Sequence, residues 1–102
     1  MQKAAGALSK VIADALSRVP PEEAPVSAWP FACGSNVAHR TRAIDFHDRV
    51  LRVEVPDRAW RSQLMELAPR YLAALNSLVG HTVERSQFLL PHEARAQERK
   101  SQ

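Results

Sequence analysis

Apolar residues in the first part of the chain recur at helical spacing and are then interrupted by prolines. The apolar positions between residues 3 and 19 lie three or four apart or adjacent: Leu8, Val11, Ile12, Ala15, Leu16 and Val19. This spacing predicts an amphipathic helix. Pro20, Pro21 and Pro25 then remove backbone donors and prevent the helix from continuing, which predicts a stiff linker. We therefore assign residues 1–25 to an N-terminal helix and a proline-rich linker.

A second helix is predicted to begin at Ser27. The Ser27 hydroxyl can cap the first turn, and Pro30 falls in that turn, where no intrahelical donor is needed. The residues that follow on one side lie four positions apart and predict a buried stripe: Trp29, Cys33 and Val37. Gly34 lowers helix stability, so we expect a close backbone contact at this position. The helix is predicted to end near Arg40.

Two short runs that alternate apolar and polar residues predict an antiparallel hairpin with one dry face and one wet face. On the first strand, Ile44 and Phe46 share one face, and Asp45 and His47 share the other. The second strand, over residues 50–55, repeats the alternation of apolar and charged side chains. The turn between the strands contains no glycine, so we expect a loop longer than a two-residue turn.

The second half of the chain predicts two more helices and a third strand. Asp57 is suited to cap a helix whose apolar stripe follows at helical spacing: Trp60, Leu64, Leu67 and Tyr71. Pro69 is expected to break or kink this helix, and a further helix is expected to stop at Gly80. Residues 82–90 are predicted to form a strand. The polar residues 91–102 show no packing face.

The resulting order, α-α-β-β-α-α-β, predicts an α+β two-layer sandwich with a three-stranded sheet and helices on one face. Composition divides the chain into three parts. Residues 26–90 are assigned to the folded domain, after the N-terminal helix and linker of residues 1–25. Residues 91–102 are assigned to a flexible charged tail.

Composition adds few restrictions. The 102 residues suffice for one small domain. Fourteen Lys and Arg against 11 Asp and Glu give a net charge of +3, compatible with nucleic-acid binding and equally typical of a mixed solvated surface. One cysteine cannot form an internal disulfide, which favours a reducing cytoplasm. No apolar run is long enough for a transmembrane helix, so we expect no membrane contact.

Candidate catalytic or metal-binding side chains are few. Asp45, His47 and Asp48 lie close together in the sequence, and His39 is not far from them. Asp48 does not share the strand face of Asp45 and His47, so a third metal ligand is missing. Cys33 lies on the apolar stripe and is interpreted as a buried, inert thiol rather than a nucleophile. We therefore expect no catalytic residue, metal or cofactor. A cleft that gathered His39, His47 and Asp45 would revive an enzymatic interpretation.

Six arginines are the candidate nucleic-acid contacts: Arg40, Arg42, Arg49, Arg52, Arg58 and Arg61. Arg58 and Arg61 are three residues apart and share one side of a helix. Guanidinium groups near an aromatic ring suit phosphate contact combined with base stacking. Acidic residues are interleaved with these arginines, so ordinary salt bridges are the alternative. Arg52 would pair with Glu54 and Arg58 with Asp57.

Trp60 has two interpretations. It leads the apolar stripe of its helix, which favours a core position. It also lies in the first turn of that helix, where a partly exposed indole can stack on a base or anchor a partner protein. Both can hold because tryptophan is rarely buried completely, so Trp60 is kept as a candidate partner contact. Trp29 is interpreted as a core residue.

An ordered set of motifs resembles a bacterial protein family. The motifs are AWPFACGSNVAHRT at residues 28–41, VLRVEVPDRAWRSQL at residues 50–64 and LNSLVGHTVERSQF at residues 75–88. Their tryptophans, glycines and apolar positions, taken in order over residues 28–90, resemble the DciA-like family. This family includes a loader or operator of the replicative helicase and has a core similar to a K-homology (KH) nucleic-acid-binding domain.

The resemblance implies a KH-like domain and a cytoplasmic, non-enzymatic accessory protein that binds nucleic acid and assists loading of the replicative helicase. It implies single-stranded or forked DNA rather than duplex DNA, or RNA, as the ligand. Glycine occurs only at positions 6, 34 and 80, so the Gly-x-x-Gly loop with which KH domains clamp nucleotides is absent. The alternative is a protein-interaction adapter that uses the first helix and Trp60 without touching nucleic acid. The sequence leaves the oligomeric state open.

Overall fold

A computed structural model of the chain describes residues 10–80 and 82–100, with side chains described up to residue 97. The first helix, α1, is described over residues 10–16, so its predicted beginning, which includes Leu8, lies outside the described residues. The elements that follow are α2 (Ala24–Cys33), α3 (Ser35–Arg40), β1 (Arg42–His47), β2 (Val50–Glu54), α4 (Arg58–Val79), β3 (Arg85–Leu89) and α5 (Pro91–Lys100).

The strands form one mixed sheet in the order β1-β2-β3. β1 and β2 pair antiparallel, whereas β2 and β3 pair parallel. A parallel pair requires a long crossover, and the 22-residue α4, about 33 Å long, supplies it. Helices α2 and α4 pack together against the sheet. The predicted α+β two-layer class with three strands is therefore confirmed.

The core lies between the sheet and these two helices. Both layers contribute its most deeply buried large side chains: Trp29, Leu51, Val53, Val55, Leu64 and Leu75. The Trp29 ring meets Tyr71 edge-on with ring centres 5.6 Å apart, and its Nε1–H donates to Thr41 Oγ1 at 2.9 Å. The polar edge of a buried indole is thus satisfied. The prediction that Trp29 is a core residue is confirmed.

The predicted second helix begins earlier than expected and is divided in two. α2 begins at Ala24, before the predicted start at Ser27, with Pro25 rather than Pro30 in its first turn. Gly34 separates α2 from α3 with φ 87° and ψ 161°, a combination that is essentially confined to glycine. A Cβ at Gly34 would meet no atom within 4 Å apart from those of its chain neighbours. The expected close contact at Gly34 is therefore wrong, and the backbone angles explain the glycine.

The hairpin differs from its prediction at the turn. Asp48 and Arg49 alone connect the strands, and both have positive φ, at 52° and 66°. This is a two-residue turn, in which glycine or asparagine would normally supply such angles. The expected longer loop is wrong, because hydrogen bonds from the start of β3 stabilise the two-residue turn. The Glu84 N–H donates to the Arg49 carbonyl at 2.8 Å.

β1 contains an irregularity between Ala43 and Asp45, so Ile44 has no partner on β2. The register brings Ala43 opposite Val53 and keeps Asp45 and His47 on one face, as predicted. Phe46 packs against the core as predicted, but Ile44 does not, because the extra residue gives Ala43 the position opposite Val53. The alternation of apolar and polar residues along the sequence does not reveal an extra residue of this kind.

α4 continues through Pro69, where a break or kink into two helices was predicted. Pro69 and Met65 are both exposed. The Met65 carbonyl that loses its N–H donor therefore lies on the solvent side, where water can bond to it. Leu64 and Leu75, on either side of the proline, are buried in the same core. This shared packing holds both halves in one helix.

The predicted ends of the α4 region are confirmed. Asp57 accepts a hydrogen bond from the Trp60 backbone N–H at 2.9 Å, and Gly80 ends the helix in the left-handed conformation. The Asn76 side chain then bonds to both the N–H and the carbonyl of Val83, each at 2.9 Å. These bonds fix the path of the chain into β3.

Residues 91–100 form α5, where no packing face was predicted. Ala94 is only 1% exposed, and Glu93 Oε1 accepts from the Leu90 N–H at 2.8 Å. Gln97 bonds to Arg52, which lies on the sheet face opposite to Leu51. α5 therefore lies against the outer face of the sheet, and the prediction that helices cover one face alone is wrong. The absence of a packing face is a wrong prediction, because a single buried alanine among charged residues produces no visible periodicity.

Candidate nucleic-acid interface

The structure places the six candidate arginines in three separate regions. Four lie where β1 begins and β2 ends, a region called here the arginine end: Arg40, Arg42, Arg58 and Arg61. Arg42 pairs with Glu54 where β1 begins and β2 ends. This pairing brings the end of α3 and the start of α4 to the same end of the sheet. Arg52 lies on the outer face of the sheet, and Arg49 lies at the hairpin turn. Because each strand is about 17–20 Å long, Arg49 is remote from the arginine end.

Two residues of the arginine end are in ion pairs. Arg42 Nη2 lies 2.9 Å from Glu54 Oε1, and Arg61 Nη1 lies 2.9 Å from Glu93 Oε1 on α5. Neither pair is fully buried, so each contributes little to stability. Each carboxylate nevertheless offsets one positive charge that a phosphate would otherwise meet.

Arg52 is held more firmly. Its Nε donates to Asp45 Oδ1 at 2.6 Å, its Nη2 donates to Asp45 Oδ2, and its Nη1 donates to Gln97 Oε1 at 2.6 Å. The hydrogen bond to Asp45 raises the pKa of Arg52, with burial acting in the opposite direction. A two-pronged pair of this kind fixes the guanidinium plane. Arg52 therefore joins β1, β2 and α5 on the outer face.

The salt-bridge alternative holds for three of the six arginines, although not with the acids that were expected. Arg52 pairs with Asp45 rather than Glu54. Asp57 caps α4 through the Trp60 backbone N–H, and no ion pair with Arg58 is formed among the described residues. Among the residues that the structure describes, the exposed side chains of Arg40, Arg49 and Arg58 form no hydrogen bond and no ion pair.

Trp60 is half-buried and packs against the core from the first turn of α4. Its location next to Arg58 and Arg61 puts Trp60 at the arginine end. The core role is thus present, and part of the side chain remains accessible. A contact between Trp60 and a partner stays a prediction.

The groups considered for catalysis do not come together. His39 precedes β1 and His47 ends it, so the length of a strand separates them. Asp45 is engaged by Arg52. No cluster of three or more His, Cys, Asp or Glu suited to a metal occurs within the described residues. Burial raises the pKa of Cys33 to about 11, which agrees with an inert thiol.

Sequence reasoning missed the part played by α5. Glu93 and Gln97 pair with arginines that lie 32 and 45 residues earlier in the chain. The signal that could have revealed the helix is Pro91 in its first position with Glu93 two residues later. Proline is favoured at the start of a helix, and a glutamate in this position can reach back to the preceding N–H groups.

A family model described as Dna[CI] antecedent, DciA, matches residues 4–88 of the chain. No curated protein matches it. Among the described helices, none combines the length and apolar character needed to cross a membrane.

Proposed function

This chain belongs to the DciA family, and we propose that it is a non-enzymatic accessory protein that assists loading of the replicative helicase and contacts nucleic acid. The match over residues 4–88 carries the proposal, because it covers most of the chain. Membership of the family indicates a role of the helicase-loader type. A KH-like core for residues 26–90, a cytoplasmic location and the choice of single-stranded or forked DNA, or RNA, belong to the same proposal.

The nucleic-acid contact is proposed to use the arginine end, with Arg40 and Arg58 as its main charges. Both are exposed and are unpaired among the described residues, so phosphates do not have to displace a carboxylate. Arg42 and Arg61 already pair with carboxylates and contribute less. Trp60 lies beside Arg61 and can supply a stacking surface. Because the chain lacks a Gly-x-x-Gly loop, this contact depends on charge and stacking rather than on a backbone clamp.

Fluorescence anisotropy with labelled single-stranded DNA, from about 50 to 200 mM salt, tests this site. We expect the Arg40→Ala, Arg58→Ala double variant to reduce the slope of log affinity against log salt by about 1.4, since each phosphate contact contributes about 0.7 for a single strand. Arg70→Ala is the matched control. Arg70 is exposed on the same helix, about 18 Å further along, and should leave the slope unchanged. An unchanged slope in the double variant would place the binding surface elsewhere.

The three ion-paired arginines favour a second candidate, a protein-interaction adapter without nucleic-acid contact. Absence of salt-dependent binding to DNA or RNA at about 50 mM salt would support it. Binding to purified replicative helicase, measured by titration calorimetry with the wild-type chain and Trp60→Phe, then tests the adapter. The variant keeps an aromatic ring against the core but removes part of the indole surface and its N–H donor, so weaker helicase binding by the variant would support the adapter.

A further inference from the structure

The edge of the sheet formed by β3 is open in the described part of the chain. β3 pairs with β2 on one side, and no described strand pairs with its other side. The Val55 N–H donates to the Leu89 carbonyl at 2.8 Å, so the backbone groups of Leu89 point toward β2. Backbone groups alternate in direction along a strand. Those of Ser86 and Phe88 therefore point outward and offer two N–H donors and two carbonyl acceptors.

A groove of about 450 Å³ lies beside β3, on the side of α4. Arg61 and Met65 of α4 and residues 85–88 of β3 line it. Met65 is 61% exposed and gives the groove an apolar contact. The groove therefore combines an unpaired strand edge with an apolar wall, as in sites that bind a peptide as an added strand.

The charges of this groove determine which occupant fits. Arg61 and Arg85 line it, and no carboxylate does. Arg85 is exposed and has no side-chain partner in the described structure. The β3 strand of a second copy, Arg85–Leu89, carries no acidic side chain to complement Arg85, so self-pairing on this edge is disfavoured. Acidic side chains on the incoming segment would match Arg85, whereas Arg61 already pairs with Glu93 and adds less positive charge to the groove.

The backbone distinguishes a peptide from a nucleic acid. Phosphate groups provide only acceptors to the outward carbonyls of Ser86 and Phe88, and the N–H donors of nucleic-acid bases do not alternate with acceptors at the spacing of a strand. A peptide backbone offers an N–H and a carbonyl at each alternate residue. We propose that the β3 edge and its groove against α4 bind an extended acidic segment of a partner protein as a fourth strand. The groove shares Arg61 with the arginine end, but the proposal does not require nucleic-acid binding there.

The probe is a fluorescein-labelled octapeptide that alternates valine with aspartate or glutamate, compared with the same peptide carrying lysine in place of each acid. We expect the acidic peptide to bind at least tenfold more tightly than the lysine peptide. Methylation of alternate peptide nitrogens, on the edge-facing side, should reduce binding at least tenfold because it removes the donors to Ser86 and Phe88. This comparison uses only the wild-type chain, so it does not depend on the folding of a variant.

Variants of the edge provide the second arm. Ser86→Pro removes an outward N–H that takes no part in pairing with β2, and it should weaken acidic-peptide binding about tenfold. Ser86→Ala keeps that N–H and loses only a hydroxyl that is buried without a partner, so it is the matched control. Arg85→Glu should also weaken binding, whereas Arg70→Glu should not.

Three results would overturn the proposal. The first is no binding of any acidic peptide at concentrations up to about 1 mM. The second is equal binding by methylated and unmethylated peptides. The third is displacement of the peptide by single-stranded DNA whose affinity falls with Arg85→Glu but not with Arg40→Ala, Arg58→Ala, which would assign the groove to nucleic acid. The same variants separate this proposal from the function proposed for the arginine end.

Discussion

At the scale of single residues, Arg49 has a backbone conformation that is unfavourable for its side chain. Its φ of 66° lies in the left-handed region, which costs a residue with a Cβ roughly 1–2 kcal/mol. Arg49→Gly should therefore stabilise the protein by about 1 kcal/mol, after allowance for the greater flexibility of glycine in the unfolded chain. The expected rise in the midpoint of thermal unfolding is about 4–8 °C.

Arg49→Ala separates the backbone effect from the loss of the charged side chain. Alanine removes the guanidinium group but keeps the Cβ, so the midpoint should stay near that of the wild type. Equal stabilisation by alanine and glycine would mean that charge, not conformation, limits stability at this turn. The exposed Arg49 side chain has no partner among the described residues, which makes the comparison direct.

Residues whose role is set by near neighbours could be predicted from the sequence. Asp57 caps the helix three residues before Trp60, and Gly80 ends it, as expected from residue type and position. The turn at Arg49 could not be predicted, because a hydrogen bond from Glu84, 35 residues later, supports it. At this turn, a hydrogen bond from a residue distant in the sequence stabilises backbone angles that the local residue types disfavour.

At the scale of the elements, α5 depends on the ionised form of Glu93. The Leu90 backbone N–H, with a further contribution from Arg61, lowers the pKa of Glu93 from its ordinary value of 4.5. A lowered carboxylate pKa means that the folded state favours the charged form. The stabilisation is therefore present above about pH 4.5 and is lost as the pH falls through the lower value of the folded state.

Glu93→Gln tests this dependence. The variant should unfold at a lower temperature than the wild type at pH 7, and the difference should vanish as the pH falls below the pKa of the folded wild type. Glu66→Gln, an exposed substitution on α4, should show no such pH-dependent difference. A difference for Glu93→Gln that stayed constant from pH 7 to pH 3 would rule out the carboxylate as its source.

The elements also show why the candidate site could be predicted only in part. The six arginines could be named as candidate contacts from the sequence, and the hairpin and the helices that carry them were correctly expected. Their partners could not be identified, because Arg42 and Arg61 are paired with residues 12 and 32 positions away, and Arg52 bonds to Asp45 across the hairpin and to Gln97, 45 positions away. Which arginines remain available depends on the sheet register and on α5, and neither leaves a local pattern.

At the scale of the whole molecule, α5 reduces the positive charge of the surface that is proposed to bind nucleic acid. Glu93 brings a negative charge to Arg61, and Gln97 bonds to Arg52. Net charge alone does not capture this effect, because the chain has the same +3 whether or not these contacts form. The distribution of charge, set by where α5 lies, determines what a phosphate meets.

Glu93→Gln should therefore strengthen binding to single-stranded DNA while it weakens the attachment of α5. If Arg61 gains one phosphate contact, the salt slope should become steeper by about 0.7 and the affinity at about 0.1 M salt should rise about fivefold. Glu66→Gln changes the net charge by the same amount, but Glu66 is exposed on α4, whereas Glu93 lies on α5. A general charge effect would therefore raise the affinity in both variants. Tighter binding by Glu93→Gln alone, measured by anisotropy from about 50 to 200 mM salt, would identify Arg61 as the released contact. No gain in either variant would mean that phosphates do not reach the Arg61 side of the arginine end, and Arg40 and Arg58 would then have to account for the binding alone.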